Sequence, residues 1–452
     1  MRPQRILIPL LALALLAAAC GDDDATGTTG EPDATTTSDP AAPGPAAPGD
    51  VVASALARTS PEVSADDLAA AAAAERAFAT AVFGLLAEGD GNVVFSPASI
   101  HLALAMAYAG AKGDTAVEMA AVLGSPFADQ ERFHAALNAL DTALEARNRV
   151  EPPGPSGEER KVVVRTANAL WGQQGVAFLT PFLDTLARNY GAGMRLVDYV
   201  ADAEAARVAI NGWVARETND RITDLIPAGV LGPMTRLVLT NAVYLDASWA
   251  VPFDPKATAD GAFSLLDGSE VTVPFMHLEE SLPFAVGDGW QAVELPYLGG
   301  ELAMLVVLPD AGRFDEVEAS VGGGLFDTAA AGLTPTTVRL ALPKFEYRTQ
   351  ETVSSLLQRL GMTTAFDPQS ADFSGMTTEE RLFIGEVIHE AFIAVDEAGT
   401  EAAAATAVVM RATAAPVDAV ELDVDRPFLY SLYDRATGAI LFMGRVLDPA
   451  AS

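Results

Sequence analysis

An α+β fold with large sheets is what the order of elements predicts for this 452-residue chain. Ala/Leu-rich stretches with helical spacing crowd the first half of the folded region, and runs that alternate in period two dominate the second. Helices first and antiparallel strands later favour an α+β architecture over a parallel α/β one. A third observation sets the scale. Between 66 and 449 there is no internal repeat and no second low-complexity linker, apart from a short Pro/Gly/Glu loop at 151–160. Length alone would allow two or three domains, but that span reads as one globular domain, and half of all residues are hydrophobic, enough for a large core.

The chain begins with Arg2 and Arg5 ahead of an apolar run, Ile6 to Ala19, of signal-peptide length and too short to cross a bilayer comfortably. Small residues Ala17, Ala18 and Ala19 lead into Cys20, the only cysteine, so no internal disulfide can form. This start resembles a bacterial lipoprotein signal, in which the cysteine is lipidated and becomes the mature N-terminus. The leucine of that signal's usual box stands one step early, as Leu16, with Ala17 in its place. An ordinary signal peptide with a chance cysteine is the alternative. The resemblance implies a signal peptide over 1–19 and a secreted protein in the extracellular space or on the outer face of the cell membrane, anchored through Cys20. Residues 21–65 are rich in Asp, Thr, Ala, Gly and Pro, a composition that cannot bury enough surface to fold, so residues 20–65 read as lipidated cysteine and disordered tether. About 45 residues of coil would reach ~35–40 Å.

From Asp66 the pattern turns helical, first over 66–86. Ser96-Pro97 is a strong helix start, with serine as N-cap and proline in the first turn, and the helix runs from Ala98 to about Ala109. Further helices are expected near 114–123, 129–146, 180–190 and 202–218. Strands are expected over 162–171, 237–245, 271–276, 301–308, 338–342 and 381–395. The chain ends in two period-two runs from Phe428 and Ile440, around a turn at Ala436-Thr437-Gly438.

The formal charge of −33, from 28 basic and 61 acidic residues, repels nucleic acid and acidic membranes and excludes a nucleic-acid partner. An enzyme would need a catalytic constellation, and none is found. There is no nucleophile elbow, no phosphate-binding loop and no zinc-protease motif; His389-Glu390 begins like the last, but Ile393 stands where the second histidine should be. His101, His134, His277 and His389 lack metal-ligand spacing, so no metal or cofactor is expected.

The segment 396–417 is poised between two conformations. By propensity Glu401 to Ala407 is a helix, yet it follows a strand-like run ending at Val395. Read at period two, one face is Thr400, Ala402, Ala404, Thr406, Val408 and Met410, small or apolar throughout, with charge only on the other face at Glu401 and Arg411. Such a segment suits a switch.

Here the residues become specific. The run Glu397-Ala-Gly-Thr-Glu-Ala-Ala-Ala-Ala-Thr406 resembles the hinge of inhibitory serpins, and the stretches 425–430 and 440–449 resemble that family's C-terminal signature. Blocks at 92–100, 107–115, 166–171, 239–245 and 342–345 agree in order, and the similarity covers essentially 66–449. The resemblance implies the serpin fold, with about nine helices, three β-sheets and an exposed reactive-centre loop, in a chain expected to be a monomer. It also implies a suicide inhibitor of an extracellular serine-type protease, which cuts the loop, forms an acyl-enzyme and is trapped as the freed segment inserts into a sheet. A non-inhibitory serpin, acting as a surface binding or structural lipoprotein, is the alternative.

Residues carry over by position. The hinge maps to Glu397, Gly399, Thr400, Glu401, Ala402, Ala403, Ala404, Ala405 and Thr406; small side chains there can slip between strands, where a proline would remove a ladder donor. The buried polar cluster called the shutter maps to Ser96, Ser99, Asn241 and His389, and Trp249 maps to the breach, where insertion starts. Glu390 departs from the pattern, since many serpins carry lysine there, so the partner of Glu397 is expected to be arranged differently. Counting seventeen residues with Glu397 as the first reaches Thr413, so the reactive bond is placed at Thr413–Ala414, which suits an elastase-like or subtilisin-like protease. Arg411–Ala412 is the alternative and would suit a trypsin-like one.

Overall fold

The computed structural model describes residues 50–152, 159–400 and 419–451. Cys20, the hinge residues Glu401–Thr406, and the candidate bonds at Arg411–Ala412 and Thr413–Ala414 lie outside the described residues.

The helices form where the capping signals stand. Ala65–Leu86 starts at Ser64, whose side chain accepts from the Asp67 amide, with Asp66 and Asp67 in the first turn complementing the helix dipole. Pro97–Tyr108 starts at Ser96, whose hydroxyl accepts from the Ser99 amide. Gly113–Val122, Gln130–Glu145, Thr180–Tyr190 and Tyr199–Glu217 fall within a few residues of expectation. Three short helices were not anticipated, Phe314–Ala319, Leu325–Gly332 and Ser354–Arg359, giving nine α-helices among the described residues.

The first sheet has eight strands, in the spatial order Val51–Val52, Met194–Val197, Lys161–Gln173, Leu237–Ser248, Gly399–Thr400, Glu386–Val395 and Phe345–Thr352, with Arg149–Val150 paired onto Lys161–Gln173. The second has nine, built around Glu270–Gly287, Leu302–Pro309, Phe428–Asp434 and Ile440–Val446. The described strands thus form two hydrogen-bonded sheets where the resemblance implies three. The cause is one long strand: Glu270–Gly287 pairs in turn with Ala259–Ser264, Thr334–Pro343 and Trp290–Pro296, and so joins regions that could have been separate. The strand expected over 381–395 begins only at Glu386, because the Ile384 and Gly385 amides are taken by the Ala365 and Leu237 carbonyls. Helix Pro97–Tyr108 is buried on nearly every side, as an apolar-all-round helix should be. It packs on the first sheet through Lys161–Gln173 and Leu237–Ser248, and on the second through Ile440–Val446.

One expectation is overturned. Composition reads residues 21–65 as a tether, but residues 50–64 strap onto the body. Val51 and Val52 add an edge strand opposite Arg195 and Met194. Arg58 donates to Asn138 Oδ1 at 2.9 Å and pairs with Asp141 at 2.6 Å and Glu145 at 2.9 Å, while Asn138 donates to the Thr59 carbonyl at 2.9 Å. A window-averaged composition misses this because a few residues, Val51, Val52, Ser54, Arg58 and Thr59 among them, supply the anchoring. Replacing Arg58 by alanine leaves Asp141, already pushed up by burial, without its cation. We expect a loss of about 1–3 kcal/mol and faster thermolysin cleavage near Leu56; an unchanged cleavage rate would refute the strap.

Candidate functional site

Two central strands of the first sheet, Leu237–Ser248 and Glu386–Val395, lie parallel and directly paired from Val238↔Glu386 to Val243↔Ala391. Both are almost wholly buried, and such strands should be apolar runs. Polar residues inside them therefore need partners. Asn241 lies opposite His389 on one side and Asn168 on the other, so three neighbouring strands bring these side chains into one row.

The helix capped by Ser96 supplies the rest. The Ser96 amide donates to His389 Nε2 at 3.1 Å, which puts the ring proton on Nδ1, in a short contact with Asn241 Oδ1. Asn241 Nδ2 donates to Ser99 Oγ at 2.6 Å and Asn168 Oδ1 at 2.8 Å. Ser99 Oγ donates to Asn168 Oδ1 at 2.7 Å, and Asn168 Nδ2 returns a bond to the Ser99 carbonyl at 3.3 Å. The network ties both central strands and their neighbour to the helix beneath. Burial pushes the His389 imidazole down to about 3, so it stays neutral.

A second cluster sits at the other end of the same strand pair. After Val395 the chain turns, with Asp396 Oδ1 accepting from the Ala398 amide at 2.8 Å and the Gly399 amide at 3.2 Å. Gly399 and Thr400 then run back between the two strands, Thr400 pairing with Val395 on one side and Ala247 on the other. Only glycine fits at 399, since a Cβ there would lie 2.0 Å from the Ala247 carbonyl oxygen. Thr400 is buried, with its hydroxyl 2.6 Å from the Tyr297 hydroxyl. Tyr297 stacks on Trp249 at 4.6 Å and 9°. Trp249 in turn holds the turn, its indole donating to the Asp396 carbonyl at 2.9 Å and its amide to the Ala398 carbonyl at 2.9 Å.

Glu397 meets Lys344 at 2.7 Å and accepts from Thr258 at 2.8 Å. Burial would raise its carboxyl, but these two partners outweigh that and hold it below the usual range. Glu390 lies apart from this pair: it is buried, pushed up by that burial, and faces Arg348 at 3.4 Å and Gln350 at 3.3 Å.

The arrangement is a sheet with a strand started in its seam. Two residues, Gly399 and Thr400, occupy the gap at one end; a polar network closes it further down. A profile described as Serpin (serine protease inhibitor) matches residues 73–449. The chain belongs to the serpin family. This serpin is 40% identical over 368 residues to an uncharacterized serpin-like protein of Thermococcus kodakarensis, covering 80% of this chain and 82% of that one. It is 34% identical over 366 residues to the leukocyte elastase inhibitor of Xenopus tropicalis, covering 79% and 93%. Among solved structures, the thermophilic serpin tengpin in its native state matches with a TM-score of 0.76 at 26% identity, covering 89% of this chain and 100% of that one.

The structure brings Ser96, Ser99, Asn241 and His389 into one cluster and sets Trp249 against the turn at Asp396–Ala398. Sequence reasoning missed Asn168 as a cluster member, although a lone amide within the strand block at 166–171 was the signal. It also left Lys344, Tyr297 and Thr258 unassigned. Lys344 stood in the block at 342–345, and its partnership with Glu397 could be found only from the fold.

The buried histidines of this serpin are expected to weaken the fold in acid. His389 is held at about 3, and His101 and His134 at about 4, all by burial. Above about pH 7 both the folded and the unfolded chain keep these rings neutral, so they do not bear on stability. Below the ordinary value near 6.5 the unfolded chain takes up protons that the buried rings refuse, and each ring then costs about 1.4 kcal/mol per pH unit until its folded value is reached. Glu75, pushed up to about 8 by burial, works in the opposite sense down to about 4.5, because there the folded chain keeps a proton that the unfolded chain loses. The three rings outweigh Glu75, so stability is expected to fall with acid between about 6.5 and 4.5, with the carboxyls of Asp141, Glu318, Glu351, Glu390 and Asp396, also pushed up by burial, offsetting part of the loss. Scanning calorimetry across that window should show Tm falling steadily; a flat profile would contradict the burial of neutral rings.

Proposed function

We propose that this serpin is an irreversible suicide inhibitor of an extracellular serine-type protease. The protease's serine attacks the Thr413 carbonyl, the Thr413–Ala414 bond breaks with Ala414 leaving as a new N-terminus, and Thr413 remains esterified to the enzyme. The freed segment then inserts as a strand between Leu237–Ser248 and Glu386–Val395.

The observation that carries this reading is the register of Gly399-Thr400. Continued residue by residue, Thr400↔Ala247 leads to Ala404 opposite Val243, Thr406 opposite Asn241 and Met410 opposite Leu237. On the other side, Thr400↔Val395 leads to Ala404 opposite Ala391 and Thr406 opposite His389. The two projections agree with the existing pairs Val243↔Ala391 and Asn241↔His389, so each pair that opens receives one inserted residue. Met410 reaches Leu237, the first residue of Leu237–Ser248, and Thr413 passes beyond it, which carries an attached protease roughly 45 Å along the sheet at ~3.4 Å per residue. Around a dozen new backbone hydrogen bonds at about 1 kcal/mol net each give a driving force on the order of 10 kcal/mol.

The test is incubation with elastase-, subtilisin- and trypsin-like proteases, followed by denaturing electrophoresis and mass spectrometry of the cut loop. An SDS-stable complex with cleavage after Thr413 is expected, with cleavage after Arg411 pointing to a trypsin-like target. Cleavage by every member without a complex would leave a non-inhibitory serpin. We further propose that Cys20 is lipidated and holds the protein on the outer face of the membrane, which the apolar run and small residues ahead of it support. Cys20→Ala should release the protein into the medium; continued membrane retention would count against the anchor.

A further inference from the structure

A cavity of about 470 Å³ opens beside the strand Lys161–Gln173. Its walls mix apolar and polar residues: Leu102 comes from Pro97–Tyr108, Leu137, Leu140 and Leu144 from Gln130–Glu145, and Val164 and Val243 from the first sheet, with Ser96, Asn148 and Thr166 among the neutral polar residues. A volume of this size is typical of small-molecule sites, which pair apolar walls with a few convergent polar groups.

One polar group in it is only half matched. Glu75 lines the cavity from the helix Ala65–Leu86 and is 1% exposed. Its Oε2 accepts from the Ile440 amide at 3.0 Å, while its Oε1 is buried with no hydrogen-bond partner among the described residues. A carboxyl oxygen buried without a donor costs about 1–3 kcal/mol, so a ligand that supplies the donor recovers that free energy. The remaining acids on the lining are Asp141 and Glu145, both paired with Arg58 of the strap, and Glu217; the basic groups are Arg165 and a buried, neutral His101. Arg76 lies next in sequence to Glu75 and exerts a weak attraction on its charge.

We propose that this cavity binds an amphipathic primary amine, its apolar body against Leu102, Leu137, Leu140, Leu144, Val164 and Val243, and its ammonium on Glu75 Oε1. An anion is disfavoured by Glu75 itself and by the acids around the lining. An alcohol offers one donor but no charge to match an ionised carboxylate, and charge-assisted hydrogen bonds are roughly twice as strong as neutral ones. Burial keeps Glu75 largely protonated at neutral pH, with its value pushed up to about 8. Amine binding near pH 7 therefore releases a proton from Glu75, and affinity rises towards pH 9, where the carboxylate is ionised beforehand and an alkylamine is still charged.

Isothermal titration of the full chain with phenylbutylamine, with phenylbutanol and phenylbutyrate as matched controls, tests this. The amine should bind at least tenfold more tightly than either control, should release close to one proton at pH 7 when measured in two buffers of different protonation heat, and should gain several-fold in affinity by pH 9. Glu75→Gln should abolish the amine's advantage and the proton release, and Leu140→Trp, which fills the cavity, should abolish binding of all three probes. If Glu75→Gln does not fold, the proton count on the unaltered chain and the Leu140→Trp variant decide. Equal binding of amine and alcohol, binding without proton release, or binding that survives Leu140→Trp would overturn the proposal.

Discussion

Cleaving the loop after Thr413 should raise the melting temperature of this serpin by more than 10 °C, and a single Ala404→Glu substitution should cancel that gain. At about 2 cal/mol/K of unfolding entropy per residue, a chain of this size gains roughly 10–15 °C from an added strand worth on the order of 10 kcal/mol. The register set by Gly399-Thr400 explains why position 404 is decisive. It projects Ala404 between Val243 and Ala391, both fully buried members of one apolar cluster, on the same face as Thr400. A carboxylate there would meet no cation, and an unpaired buried charge costs several kcal/mol, comparable with the gain itself. Ala404→Glu should therefore leave the uncut chain's Tm unchanged, allow cleavage at the normal rate, and lower the yield of SDS-stable protease complex at least tenfold. Glu401, whose side chain falls on the opposite face by the same alternation, makes the control: Glu401→Gln should change neither quantity. Equal complex yields for Ala404→Glu and the unaltered chain would refute insertion in this register.

Much of the frame was legible in the residues because its signals are local. Ser64 and Ser96 cap the helices they precede, and the 3.6-residue spacing of Phe78, Val82 and their neighbours is enough to place one of them. The strands near 162, 237 and 440 announce themselves by alternation or by unbroken apolar runs. What was missed is long-range or sparse. The strap at 50–64 rests on a few residues, Val51, Val52, Ser54, Arg58 and Thr59 among them, in a stretch whose average composition is that of a coil. The helices Phe314–Ala319 and Ser354–Arg359 are only six residues each, too short for periodicity to show. Asn168 and Asn241 lie 73 residues apart, and only the antiparallel pairing of their strands makes them partners. The Lys344–Glu397 contact is of the same kind.

Asn241→Ala should open the seam in the uncut chain. Asn241 is the hub of the polar network, bonded to His389, Ser99 and Asn168 at once. Its loss leaves the His389 Nδ1–H without an acceptor and Ser99 Oγ without a donor, while Asn168 Oδ1 keeps its bond from Ser99 Oγ, in a cluster where His389, Ser99 and Ser96 are each 1% exposed. Leaving such groups unmatched costs about 2–4 kcal/mol. The His389 share of that cost falls on the closed sheet alone, because a strand inserted between Leu237–Ser248 and Glu386–Val395 separates Asn241 from His389 in any case, whereas the bonds to Ser99 and Asn168 are lost from both forms. The variant therefore lowers the barrier to insertion of an uncut loop, and a 2 kcal/mol reduction shortens the lifetime of the closed form roughly thirtyfold. On mild heating Asn241→Ala should lose protease-trapping activity first, while gaining a form that melts at higher temperature and resists thermolysin. Combined with His389→Ala, it should cost less than the sum of the two single changes, since both remove the same contact. Additive losses, or an Asn241→Ala chain that simply unfolds at lower temperature without passing through a heat-stable form, would show that the network supports the fold without holding the seam shut.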